Sequence, residues 1–195
     1  MRFTPEQESM LLQMARDVIR GRLENPQALP PDVDAPLDSP DPVLSAPAGC
    51  FVSLHNRSTH ALRGCIGRIE AVDPLIVALR QAAASVLDDP RFQDQPVTMD
   101  ELPELELELS ILGELKLAAS PLDFDPLVQG IFLTIDGRRG CFLPQVARET
   151  GWTREQLLNR LCAEKLGLSP HAWKAPDAQL QTFATAVIGP RPFLE

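Results

Sequence analysis

The sequence predicts an α+β fold, several short antiparallel strands with helices on the outside, and three observations point to it. First, "GCFVSL" at 49–54 and "GIFLTI" at 130–135 match position by position in residue type, and each leads into a second strand opened by Arg-Gly-Cys, at Arg63 and at Arg139. Second, each of these hairpins is followed by a helical pattern, so an internal duplication of a hairpin-plus-helix unit accounts for both. Third, "LELELSIL" at 105–112 alternates strictly, with Leu105, Leu107, Leu109 and Ile111 on one face and Glu106, Glu108 and Ser110 on the other, the signature of a half-buried strand.

The elements follow in order. Residues 1–23 predict an N-terminal helix: Thr4 as N-cap, Pro5 at the first helical position and Gln7 as capping-box partner, with Leu11, Met14, Ala15, Val18 and Ile19 as its buried stripe. Residues 24–48 hold seven prolines, which remove backbone donors and fix φ, so neither a helix nor a central strand is expected there. Disorder is one reading; an arm docked through Leu29, Val33, Leu37, Val43 and Leu44 is the other. The first repeat spans 49–120. Its helix is expected to be capped by Asp73, to start at Pro74, and to bury Leu75, Leu79, Ala82, Ala83 and Val86. The second repeat spans 121–188, with a short helix from Pro144 to near Gly151, a Thr153/Gln156 capping box opening the next, and a last strand at 180–188.

A chain of 195 residues suits one domain and buries about 70% of its unfolded surface. The net charge of −9 argues against nucleic acid or an anionic membrane as main partner. No apolar run is long enough to span a bilayer. The four cysteines form no Cys-x-x-Cys pair and no signal peptide is recognisable, so reduced thiols in the cytoplasm are expected. No histidine pair has metal-ligand spacing, so neither a metal nor a cofactor is expected.

"LRGCIG" (62–67), "DPRF" (89–92), "LELELSIL" (105–112), "LPQVA" (143–147) and the Trp152 and Trp173 regions resemble the AMMECR domain, whose bacterial and archaeal members are called AmmeMemoRadiSam system protein A. The resemblance runs from about Gly49 to Ile188. It implies two strand-and-helix repeats around a single barrel-like antiparallel sheet, and an association with a MEMO-like protein and a radical SAM enzyme. Cys141 stands where the family usually carries an aliphatic residue.

The candidate site is built on "RGCIG". Alternation places Arg63, Cys65 and Gly67 on one face, about 7 Å between successive side chains. A guanidinium that close favours the reactive thiolate, which makes Cys65 the catalytic candidate and Arg63 a binding residue for a small anion or electrophile. Gly67 would leave side-chain space and Gly64 would permit close backbone approach from the other face. Packing explains the same residues: cysteine behaves as a small hydrophobe, and Arg63 has Glu106 and Glu108 as available partners. Arg91 is either an anion contact facing the same cleft or the partner of Asp88 or Asp94. Gln145 is either a polar group near the same sheet edge or simply exposed. His55 and His60 flank the first turn, as bases or as solvated turn residues, and His171 is expected to pack beside Trp173. A non-catalytic scaffold that docks partners through "LRGCIG" is the competing function.

Overall fold

The first helix shows how closely local sequence signals can set a boundary. In the computed structural model, which describes residues 2–25 and 41–194, α1 runs Pro5–Glu24. Thr4 accepts from the Gln7 backbone N–H while the Gln7 side chain accepts from the Thr4 N–H, the expected reciprocal cap. Leu11, Leu12, Ala15, Val18 and Ile19 are buried, and Met14 packs against them.

Of the proline-rich stretch, Leu29, Val33 and Leu37 lie outside the described residues. Its end departs from expectation: Pro42–Ser45 form a short helix, α2, because Pro42 sits in the first turn, where a missing N–H costs nothing, and Asp41 caps it through the Val43 N–H. Leu44 is fully buried, and the Gln7 side chain donates to Asp41, tying the start of α2 to the start of α1.

The chain forms two compact units, Arg2–Leu112 with Ala186–Glu195, and Gly113–Thr185. In the first, β1 (Cys50–Asn56) pairs antiparallel with β2 (Leu62–Arg68) on one side and β3 (Leu105–Leu112) on the other. Along β3 runs the C-terminal half of β7 (Gln179–Pro192), with Gly189 against the Leu107 carbonyl. Leu105, Leu107, Leu109 and Ile111 are fully buried, as the alternation required. They meet α1 and α3 (Leu75–Ser85) in one core with Val52, Leu54 and Leu79. Pro74, not Asp73, takes the N-cap position of α3. Asp73 is drawn instead to the Arg68 guanidinium at the end of β2, which also donates to Gln81.

In the second unit β5 (Gln129–Ile135) pairs with β6 (Arg138–Phe142) and with the N-terminal half of β7, whose further partner is β4 (Lys116–Leu117). Asp136 and Gly137 both have positive φ, 47° and 73°, the two-residue turn whose twist suits a hairpin. α4 (Pro144–Thr150) follows and ends at Gly151 in the left-handed region. α5 (Arg154–Arg160) begins at the expected Thr153/Gln156 cap and passes into a wider turn, Leu161–Lys165. Leu157, Leu158, Leu161, Cys162 and Trp173 are buried there with Ile131 and Leu133. Trp173 donates to Asn159, while His171 is exposed rather than packed.

Each unit thus carries a hairpin followed by a helix, the α+β repeat expected from the sequence. The two Arg-Gly-Cys triplets nevertheless differ in register. Gly64 faces Leu54, the last residue of "GCFVSL", whereas Gly140 faces Leu133, two residues before the last of "GIFLTI". Turn length and a bulge in the first hairpin set this shift, and because it is even it preserves the faces. Cys141 consequently lies opposite Phe132, the counterpart of Gly67 opposite Phe51, and is not the equivalent of Cys65.

Candidate functional site

The site begins with an irregularity in β2. Leu54 pairs with Gly64 and His55 with Leu62, so Arg63 has no residue opposite it and forms a bulge. A bulge re-aims the side chain, which is why alternation alone misplaces Arg63. Its guanidinium leaves the Cys65 row and grips Glu101 through Nε at 2.5 Å and Nη2 at 2.9 Å, with the Gln95 carbonyl 3.0 Å from Nη2. The partner is therefore Glu101, not Glu106 or Glu108. Glu106 instead faces His60, whose Nδ1 is 3.5 Å from Oε1, and His60 itself is largely exposed in the turn.

The cation beside Cys65 is Arg91. It follows Asp89 and Pro90 in the single 3-10 turn Pro90–Phe92, and Asp89 caps that turn by accepting from the Arg91 N–H at 3.1 Å. The Asp89 carboxylate is 2% exposed and holds three further bonds: Arg91 Nη2 at 2.6 Å, Arg91 Nε at 3.0 Å and the Cys65 N–H at 2.9 Å. These donors, the Arg91 guanidinium first, keep its carboxyl down at about 2 against the penalty of burial. Arg91 reaches on to the Cys65 carbonyl at 3.3 Å and interacts with the Cys65 side chain, so that Asp89 and then Cys65 both hold its positive charge. Asp88 is paired with Arg22 of α1 at 3.0 Å, and the carboxylate that Arg91 grips is that of Asp89, which is not among the expected partners Asp88 and Asp94. Both guanidinium groups stand against the Phe92 ring, whose centre is 5.8 Å from the Arg63 guanidinium carbon and 5.5 Å from that of Arg91.

Gly67 does not leave open space. A Cβ there would stand inside the Cys50 carbonyl oxygen and against the Phe51 ring, so Phe51 fills the place assigned to a cleft. Gly64 does permit the expected close approach: its missing Cβ would lie 2.8 Å from the Val86 carbonyl, just beyond α3. Gln145 is half-buried in the first turn of α4, in the other unit.

Burial separates the thiols. Cys50 is fully buried and its thiol is pushed up to about 12 by desolvation; Cys162 is buried and raised for the same reason. Cys65 and Cys141 are half-buried, and the four cysteines form no disulfide. The residues that sequence reasoning missed are Asp89 and Glu101. An Asp-Pro-Arg order was a usable signal for Asp89, because an aspartate that caps a turn can also grip the side chain two residues on. Nothing in the pattern announces that this carboxylate is buried.

A profile of the AMMECR1 family matches residues 12–188, nearly the whole chain. The chain belongs to the AMMECR1 family. It is similar to protein MJ0810 of Methanocaldococcus jannaschii, 34% identical over 191 residues covering 94% of this chain and 90% of that one. It is likewise similar to protein TK0174 of Thermococcus kodakarensis, at 32% identity over 95% of this chain and 91% of the relative. The crystal structure of PH0010 from Pyrococcus horikoshii superposes with a TM-score of 0.81 at 32% identity, over 95% of this chain and 92% of that one. Like this family member's fold, the AMMECR1 assignment rests on most of the chain rather than on the "RGCIG" strand alone. Among the described residues no helix is long and apolar enough to cross a membrane.

Proposed function

We propose that this AMMECR1 protein is a partner-dependent component acting with MEMO-like and radical SAM proteins, and that its own contribution is the Cys65 thiol, presented to a small electrophilic or anionic group. The observation that carries the chemical half is the Arg91 guanidinium against Cys65, fixed there by the buried Asp89. A nearby cation favours the thiolate, which is the nucleophilic form of cysteine. Arg91 is half-exposed and so accessible to an anion arriving at the thiol. In this reading Arg63 and Glu101 shape the site without bearing on the sulfur.

The test is alkylation of the folded protein by iodoacetamide, a neutral reagent that gains nothing from charge attraction, followed residue by residue. Cys65 is expected to react at pH 7 and Cys50 to stay unmodified until the protein unfolds. Arg91→Ala is expected to slow Cys65 about tenfold, since it removes the cation that favours the thiolate. A Cys65 rate equal to that of an ordinary thiol and indifferent to Arg91→Ala would sink the chemical half.

One observation favours a second reading, a docking surface without bond chemistry: both guanidinium charges already face carboxylates, Glu101 and Asp89. Binding of a purified MEMO-like protein to the full chain decides between them. A Cys65→Ser variant that binds and functions as the parent does supports docking; loss of function with binding retained supports the thiol.

A further inference from the structure

β2 stands at one end of the strand order and takes β1 as its strand partner among the described residues, which leaves its other edge to be accounted for. An edge strand presents backbone N–H and C=O groups that will pair with any extended chain. At Cys65 both groups are already taken, and by side chains: the N–H by the Asp89 carboxylate and the C=O by the Arg91 guanidinium. One bulge away the exchange runs the other way, with the Arg63 side chain of β2 donating to the Gln95 carbonyl and to Glu101. Each partner thus supplies side chains to the other's backbone, and the Phe92 ring of the same segment stands within cation–π distance of both arginines.

We infer that residues 89–101 form a clasp that stands in for a neighbouring strand on β2, closing this edge to strand addition, with the Asp89 carboxylate as its catch. This goes beyond the thiol reading and is independent of it, since it needs the Cys65 backbone and not its sulfur. Asp89 is the member that cannot be replaced. One oxygen accepts from the Cys65 N–H and Arg91 Nη2 and the other from the Arg91 N–H and Nε, so an asparagine NH2 faces donors in either orientation. The local turn bond to the Arg91 N–H keeps the oxygen, and the Cys65 N–H then meets a donor. An opened edge would pair with the same edge of a second copy, because antiparallel pairing of one strand with itself about a twofold axis is self-complementary.

The experiment is residue-resolved amide exchange by NMR on the full chain, with light scattering at high concentration alongside. In the parent the Cys65 amide is expected to be protected, despite its place on an edge, by about a hundredfold or more. Asp89→Asn is expected to speed its exchange at least tenfold while leaving Leu107 and Leu109 on β3 unchanged, and to introduce dimer. Cys65→Ser should retain parental protection at that position. An unprotected Cys65 amide in the parent overturns the inference, as does an Asp89→Asn variant that is folded, equally protected and monomeric. Should Asp89→Asn not fold, Arg91→Ala gives the second reading: Asp89 still accepts from residue 65, so protection there should persist, and its loss would overturn the assignment of the catch to Asp89.

Discussion

Gly67→Ala is expected to destabilise the protein by about 3 kcal/mol, near the upper end for overpacking a well-ordered interior. A methyl group at this position has nowhere to go: it would overlap the Cys50 carbonyl oxygen and lie 2.5 Å from the Phe51 Cα, both backbone atoms of the paired strand. A flexible side chain can yield to such a contact, but β1 is fixed on both sides, by β2 and by β3. Relief therefore requires separating β2 from β1. Gly21→Ala is the matched control. Gly21 lies in α1 with nothing within 4 Å of an added Cβ, so the same chemical change is expected to stabilise by about 0.5–1 kcal/mol through helix propensity. Urea titration of both variants checks the pair, and a neutral Gly67→Ala would mean that β2 is less tightly joined to β1 than described.

Asp89→Ala is expected to cost about 3 kcal/mol, because it removes the buried carboxylate that holds the half-exposed Arg91 and strips the Cys65 N–H of its acceptor. Part of the effect is pH-dependent, and its sign follows from the direction of the shift. The carboxyl is held at about 2 in the folded protein against 3.8 for an ordinary aspartate. Its stabilisation is therefore complete above pH 4 and is lost as the pH falls from about 4 through 2, an amount on the order of 2 kcal/mol. Asp89→Asn should flatten that part of the acid-unfolding curve while leaving the neutral region parallel to the parent. Thermal melts from pH 2 to pH 7 make the comparison. Curves for parent and Asp89→Asn that keep a constant separation throughout would show that Asp89 is not ionised against Arg91.

The fold was largely legible because its signals are local. Thr4 with Gln7, Thr153 with Gln156 and the alternation of 105–112 each depend on residues a few positions apart, and each appeared where expected. The site was less legible because its decisive features are not. Alternation assigns Arg63 to the Cys65 face only if the strand is regular, and the bulge opposite His55 is set by the turn beyond it. The sequence offers Asp88 or Asp94 as the Arg91 partner and passes over Asp89, since the burial that marks out Asp89 is a tertiary property. Gly67 misled for a similar reason. A missing side chain reads equally as a hollow or as room for a neighbour, and here the neighbour is Phe51. The capping role of Asp73 lost to a long-range competitor, Arg68, that helix-start rules do not weigh.

The central proposal is that the Arg91 guanidinium favours the Cys65 thiolate and that Asp89 holds that guanidinium in place. The most direct measurement is the rate of Cys65 modification by iodoacetamide at pH 7 in the parent, Arg91→Ala and Asp89→Asn, each shown folded by its melt. The expected order is the parent fastest, with Arg91→Ala and Asp89→Asn both slower, because one variant removes the guanidinium and the other its anchor. Equal rates in all three, or an Arg91→Ala variant faster than the parent, would contradict it.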